Sequence, residues 1–409
     1  MDCDKLLSLG TELGCLLMSS GAEIYRAEES VNRLLAAYGL EPQVFAIPNC
    51  LFVSVITPGG QSINRMCRIP AHGTDIELLE RCNGLCRRLC RERPPVEEAL
   101  ALVRELKRGE RRHTLWAVLL GYGAAAAFFA LFFGGGLLDF LAAGACGLAV
   151  GCCLIFGKKL LGSNLFFRTV LCAAVAAGMA LMLIQSGVGE NFEVVTIGTL
   201  MLLVPGMTLT NAMREIMAGD IFSGLNRTAE VFLVAAAIAL GMAFPVVLGH
   251  NVWGESVVSG ILDHYFLPCL WAMLACVGFG MVFNIQGVGA LICGFGGAVG
   301  WFAYLAAMAA GVGDIAAAFL AAMAIGAYSE LMARVRRCPV TGYLQVALLP
   351  LVPGAGIYYA MRYCLEGETE LFLSTLLHTL GTAAALSVGA MLISSVLRTI
   401  LPRLKWSAH

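Results

Sequence analysis

From residue 114 onward the chain is a succession of apolar runs separated by short polar or glycine-rich stretches. The runs lie at about 114–133, 137–156, 167–186, 193–212, 228–248, 264–284, 287–308, 313–333, 343–363 and 372–397. Each is close to the ~20 residues an α-helix needs to cross a bilayer, so the pattern predicts ten membrane-spanning helices. Residues 1–112 differ and predict a small α+β domain. Helices are expected over 5–19 and 22–38, the second stopping at Gly39 with Ile24, Val31, Leu34 and Leu35 on one face. Residues 44–57 are rich in β-branched and aromatic side chains, Pro58-Gly59-Gly60 signals a turn, and 62–69 can return as a hairpin partner. A helix over 74–91 follows, and another opens at Pro94-Pro95 with Glu97 and Glu98, because proline suits a first helical turn and acids suit its positive end.

The apolar runs form two sets of five. Sliding the second set back by about 148 positions, the distance from Leu203 to Leu351, lays helix on helix almost without gaps, as an internal duplication does. An odd number of crossings per copy points the two copies in opposite directions, the inverted-repeat plan of many secondary transporters. The expected architecture is therefore a polytopic α-helical membrane protein, ten helices in a 5+5 inverted repeat behind an N-terminal cytosolic α+β domain. Its expected divisions are 1–112, 113–250 and 251–409.

Charge placement bears on the same count. With the N-terminal domain inside, the inner loops carry Lys158, Lys159 and Arg168, then Arg214 and Arg227, then 284–287, then Arg334, Arg336 and Arg337, and finally the segment after Arg398. All but 284–287 are basic. The outer loops at 134–136, 187–193, 250–263, 311–314 and 366–370 are acidic or neutral, as the positive-inside bias requires; Arg362 is the exception. The first residues precede no signal-peptide pattern, which keeps the N-terminal segment, and with ten crossings the C-terminus, in the cytosol.

Composition narrows the class. The chain is 59% hydrophobic and 13% charged with a formal net charge of -1, so nothing suggests a nucleic-acid partner. Of the 16 cysteines, Cys146, Cys152, Cys153, Cys172, Cys276 and Cys293 sit in apolar runs as small hydrophobes. Cys82, Cys86 and Cys90 recur at helical spacing, but a zinc site would need a fourth ligand, so they read as a reduced buried stripe; disulfides are not expected in a cytosolic segment.

The string Leu-Val-Pro-Gly occurs twice, at 203–206 and 351–354, and each copy is followed by Ala-Met-Arg. Proline removes a helix donor and crowds the carbonyl four residues back, so both helices should break within the membrane, where freed carbonyls must line a site or a wet cavity. Pro205 and Gly206 are followed by Thr208, Thr210 and Asn211, neutral hydrogen-bonding groups beside a carbonyl freed at Met201 and suited to a zwitterionic or carboxylate solute. Pro350 and Pro353 should free carbonyls near Val346 and Leu349. After Gly354 the second copy carries Gly356, Tyr358 and Tyr359, a wall or gate rather than a solute contact. A simple kink in a packed bundle is the alternative.

Charges near membrane depth need partners or water. Glu330 reads either as an ion pair with Arg334 one turn on or as a coupling group. Arg214, Asp220, Arg227 and Glu230 flank the loop after the first break and suit an inner gate or a solvated loop. His378 reads as a proton relay or as a buried, hydrogen-bonded imidazole. In the N-terminal domain, Glu23, Arg26 and Glu28 read as a solvated helix face. No phosphate loop, nucleophile elbow or metal-ligand pair is visible, so neither a cofactor nor ATP hydrolysis is expected, and the energy source would be an ion gradient.

Taken in order, Gly21-Ala22-Glu23-Ile24-Tyr25-Arg26 with Glu28, Leu203-Val204-Pro205-Gly206 through Asn211, Gly219-Asp220, Ser223-Gly224-Leu225 through Arg227, Ala333-Arg334, Pro339 and Pro350 through Gly354 resemble the threonine/serine exporter family. The family commonly carries serine or threonine where Glu23 stands. The resemblance implies a cytosolic domain fused to two five-helix units and export of threonine and serine across the bacterial inner membrane, driven by protons. Related two-protein systems resemble exporters of a dicarboxylate such as succinate, which is the alternative substrate class. A membrane-tethered hydrolase acting through residues 1–112 is a further alternative, against which ten duplicated spans and the lack of a catalytic constellation both speak. Homo-oligomerisation stays open.

Overall fold

The computed structural model describes residues 3–56, 60–69, 73–108, 113–161, 164–248, 266–336 and 338–400. The expected division at 250/251, the loop 250–263, the turn at Pro58-Gly59 and Arg337 lie outside them. The chain forms two compact units, one of Met1–His113 with Phe283–Gln286, the other of Thr114–Val282 with Gly287–His409.

The first unit contains α1 (Cys3–Ser19), α2 (Ile24–Ala37), β1 (Pro42–Ile47), β2 (Cys50–Ile56), β3 (Ser62–Arg68), α3 (Ile76–Glu92) and α4 (Val96–Arg108). The strands form an antiparallel sheet in the order β1-β2-β3, with Ile47 opposite Cys50 and Ile56 opposite Ser62. The apolar run 44–57 is thus two strands, because Pro48 and Asn49 turn the chain within it. Leu6, Leu9, Leu13 and Leu17 of α1 are buried with Val31 and Leu35 of α2 and Leu51, Val53 and Val55 of β2. These leucines recur every three or four residues and the β2 residues every second, so each element offers one apolar face to a shared core.

Three local expectations change. Glu23 is buried, not solvated, and lies 2.8 Å from Arg26 Nε. Glu28 accepts the Ala46 N–H at 2.7 Å and so ties α2 to β1. Cys15 of α1 and Cys67 of β3 are joined in a disulfide across 52 residues, which spacing alone does not reveal because the two come from different elements. Cys82, Cys86 and Cys90 are free thiols, the first two buried.

Phe283–Gln286 belongs to this unit by contact. The Ile76 N–H donates to Phe283 O at 3.1 Å, and Asn284 Nδ2 donates to the α3 N-cap, Asp75, at 2.9 Å. Asn284 holds a left-handed φ of 59°, which asparagine tolerates better than most residues, and its Oδ1 accepts from the His113 N–H at 3.1 Å.

The second unit is helical: α5 (Leu115–Phe132), α6 (Leu137–Leu161), α7 (Leu165–Gln185), α8 (Phe192–Leu200), α9 (Gly206–Met217), α10 (Ile221–Leu248), α11 (Phe266–Val282), α12 (Gly289–Ala309), α13 (Asp314–Arg336), α14 (Val340–Leu348), α15 (Gly354–Glu366) and α16 (Thr369–Ile400). Among the described residues, 7 helices are long and apolar enough to cross a membrane: α5, α6, α7, α10, α12, α13 and α16. The chain is a polytopic membrane protein. α11 is apolar but only 17 residues long, and the runs 193–212 and 343–363 are each cut in two. α8 and α14 have 9 residues each, α9 has 12 and α15 has 13, so no single piece of either broken helix has spanning length.

Helix pairs recur in matched form. α5 packs on α6 as α11 does on α12, α7 on α10 as α13 on α16, and α8 on α7 as α14 on α13. Across the two sets, α5 meets α11, α9 meets α16 and α15 meets α10.

Candidate functional site: two broken helices in contact

Each break occupies five residues, 201–205 and 349–353, at the same point of its set. Leu202 and Leu203 N–H groups turn back onto Thr199 and Leu200 carbonyls, tightening the end of α8, and Pro205 then opens α9. Leu351 N–H does the same onto Leu348 O before Pro353 opens α15. The two breaks touch. A Cβ on Gly206 would overlap Val352 Cγ1, and one on Gly354 would lie 3.0 Å from Met201 Sδ and 3.2 Å from Val204 Cγ1. Glycine at both positions lets the two backbones approach.

Side chains interleave around this crossing. Tyr358 is buried and belongs to the first set's core cluster, which includes Leu200, Val195, Cys172 and Ala176, with Tyr359 packed against that cluster and the two rings 5.1 Å apart. In return Met207 packs against the second set's core cluster, which includes Leu344, Leu348 and Leu351.

The carbonyls are not freed alike. Among the described residues no donor reaches the carbonyls of Met201, Leu202, Leu203 and Val204. In the second copy Val346 O accepts from Leu349 N–H at 3.2 Å and from the Cys276 thiol at 3.2 Å, and Leu349 O accepts from Val352 N–H at 3.3 Å. The expectation of free carbonyls at Val346 and Leu349 is thus corrected: local turns and a thiol from α11 fill them.

Thr210 is buried, and its hydroxyl donates back to Gly206 O at 3.2 Å. Its carbonyl accepts from Ser387 of α16 at 2.7 Å. Thr208 and Asn211 are half-buried and have no hydrogen-bond partner among the described residues. The first break therefore combines open carbonyls with two uncommitted polar side chains, whereas the second is aromatic and satisfied.

The charged candidates separate into different places. Arg214 is buried on α9, and its neighbour Glu215, also buried, receives Arg227 Nε of α10 at 2.9 Å. Asp220 caps α10 by accepting Ser223 N–H at 3.3 Å. Glu230 is half-buried with no partner among the described residues. Glu330 is buried and pairs with Arg334 at 3.5 Å. His378 lies 2.7 Å from Asp314, which also accepts the Tyr304 hydroxyl, so the imidazole sits level with the first residue of α13. Arg362, the cation out of place in the charge pattern, lies between Glu193 at 3.3 Å and Glu366 at 2.8 Å.

Sequence reasoning missed Glu215, Glu193, Asp314 and Tyr304. The first three stand at the edges of apolar runs, where a lone acid looks like a loop residue; only the fold supplies the cation or imidazole opposite. Asp139 was missed in the same way. It is buried and accepts three backbone N–H groups, from Gly136 at 3.0 Å and from Glu190 and Asn191 at 2.8 Å, fixing the turn before α8.

The polytopic bundle brings its two broken helices into contact at their breaks, an arrangement in which many secondary transporters build their binding sites. Comparison with known proteins gives the family. The model described as "Putative threonine/serine exporter" matches residues 8–249, and that described as "Threonine/Serine exporter, ThrE" matches 268–396. The chain belongs to the threonine/serine exporter family. It is 23% identical over 407 residues to a protein named "Threonine/serine exporter" from Corynebacterium glutamicum, covering 95% of this chain and 81% of that one. It is also 23% identical over 403 residues to a "Probable threonine/serine exporter" from Mycobacterium tuberculosis, covering 95% and 75%. A "Pheromone-regulated membrane protein 10" from Debaryomyces hansenii is 25% identical over 245 residues, 58% of this chain and 24% of that protein. No solved structure matches the chain.

Proposed function

We propose that this protein is a proton-coupled exporter of threonine, serine or similar small amino acids, working by alternating access around the crossed breaks. The observation that carries the reading is the pairing of Gly206 with Val352 and of Gly354 with Met201, beside carbonyls 201–204 that accept no hydrogen bond among the described residues. Open carbonyls and the Thr208 and Asn211 side chains suit the ammonium and hydroxyl groups of a small amino acid. Tyr358 and Tyr359 form the opposite wall.

The matched helix pairs support ten crossings in a 5+5 inverted repeat, with each broken helix counted as one crossing. In that arrangement the protein lies in the bacterial inner membrane, and residues 1–112 and both termini face the cytosol. Proton coupling falls to His378, Asp314 and Tyr304, whose contacts give an imidazole a carboxylate to exchange with. Glu215 with Arg227 and Glu330 with Arg334 are the gate pairs.

Purified protein in proteoliposomes preloaded with labelled threonine, serine or succinate tests this. An imposed proton gradient is expected to drive threonine or serine flux; flux of succinate alone would replace the substrate, and no flux of any would end the transporter reading.

A further inference from the structure

The first unit holds a cavity of about 590 Å³ between α1, β3 and α4. That size matches sites for small organic ligands. Four cations surround it: Arg68 from β3 and Arg104, Lys107 and Arg108 from α4. Only Arg104 is neutralised by a lining acid, Glu12, which accepts from it at 3.0 and 3.3 Å. Arg68, Lys107 and Arg108 have no carboxylate partner among the described residues. Cations at the end of α4 are favoured by the helix dipole alone. Arg68 is not, because it ends a strand on the other side of the cavity. Leu16, Ile69 and Val103, all buried, give the cavity an apolar floor.

We infer that this cavity binds a phosphate-bearing small molecule, with the phosphate held by Arg68, Lys107 and Arg108 and an apolar or aromatic portion resting on the floor. Guanidinium groups suit phosphate because they offer paired donors in the plane of two oxygens, and three cations with no carboxylate partner among the described residues favour a group carrying more than one negative charge. A carboxylate solute would need fewer cations. The phosphate can belong to a soluble ester of nucleotide size or to a phospholipid headgroup; both present the same chemistry to these side chains. The inference concerns this unit alone and is read by binding, so it stands or falls separately from the transport reading.

The test uses the full chain in neutral detergent, titrated calorimetrically with AMP, with inorganic pyrophosphate and, in a separate arm, with dioctanoyl phosphatidylglycerol. At least one probe is expected to bind saturably below about 1 mM, and the double variant Arg68→Gln/Lys107→Gln is expected to weaken it about tenfold or more. Arg65→Gln, a cation of the same strand outside the cavity lining, is expected to change nothing, and unaltered melting temperatures would show that the variants fold. Binding of AMP or pyrophosphate assigns a soluble ligand, and binding of the lipid alone assigns a headgroup; either supports the site. Absence of saturable binding, an unweakened double variant, or equal weakening by Arg65→Gln would overturn it.

Discussion

Gly206 of the first break lies so close to Val352 of the second that no side chain fits between them. The consequence is asymmetric. Alanine at 206 must displace a branched, buried neighbour, and overpacking of this kind costs about 1–3 kcal/mol. Alanine at 354 meets Met201 Sδ at 3.0 Å and Val204 Cγ1 at 3.2 Å, near contacts rather than an overlap, and the methionine end can swing aside. Gly206→Ala is therefore expected to lower the melting temperature and reduce flux more than Gly354→Ala, and Val352→Ala is expected to recover much of the loss in the double variant. Thermal unfolding and flux of the two single and one double variants check this; equal effects at the two glycines would separate the breaks.

Asn211 and Thr208 are expected to contact the solute. Removing one neutral hydrogen bond to a bound ligand costs about 0.5–1.5 kcal/mol, up to roughly tenfold in affinity. Asn211→Ala should thus raise the half-saturating threonine concentration severalfold with little change in melting temperature, because the amide has no partner among the described residues to lose. Thr210→Val is expected to act differently. Its hydroxyl is buried and committed to Gly206 O, so stability should fall along with transport.

Much of this arrangement was legible in the chain. The doubled Leu-Val-Pro-Gly marked both breaks because a proline inside an apolar run has few outcomes in a helix. The two sets of runs aligned because helix length is fixed by the bilayer. What stayed hidden depends on contact between distant elements. Asp314 meets His378, Glu215 meets Arg227 and Cys15 meets Cys67 only after folding. Val346 and Leu349 illustrate the opposite error: proline frees a carbonyl from its helical donor, but a tightened turn supplied another.

The His378–Asp314 pair is expected to carry the proton coupling of transport. Asp314→Asn keeps the shape but replaces the carboxylate that faces the His378 imidazole with a neutral amide. His378→Gln removes the imidazole altogether. Both variants should lose proton-driven uphill flux while retaining some downhill movement of labelled threonine. A normal response to an imposed proton gradient in both variants would move coupling elsewhere.

Glu215 and Arg227 form a pair in which the carboxylate is buried and the guanidinium largely so. Removing one member of a buried pair costs about 3–5 kcal/mol at full burial and less here, because Arg227 keeps some contact with solvent and Glu215 does not depend on Arg227 alone. Arg227→Gln is expected to destabilise the protein clearly, and Glu215→Gln with Arg227→Gln together less than either alone. Thermal unfolding of the three variants decides whether the contact behaves as a pair.

Cys90 offers a pH-dependent probe of the first unit. The neighbouring Cys86 thiol, opposed by some burial and helped by Arg33 and Arg93, draws the Cys90 thiol down to about 7. Burial pushes Cys82 up to about 12, and Cys86, whose thiol donates to Ser30 O at 3.6 Å and lies beside Cys90, is also raised. Thiolate is the reactive form, so alkylation of Cys90 should rise about tenfold per pH unit below its pKa and level off above it. Cys82 and Cys86 should remain unlabelled at neutral pH in the folded protein. Iodoacetamide labelling between about pH 5 and pH 9, read by peptide mass spectrometry, measures the three rates separately. Cys86→Ala removes the neighbouring thiol, so the Cys90 profile should move to higher pH; a profile that does not move would mean that the arginines, not that thiol, set its acidity.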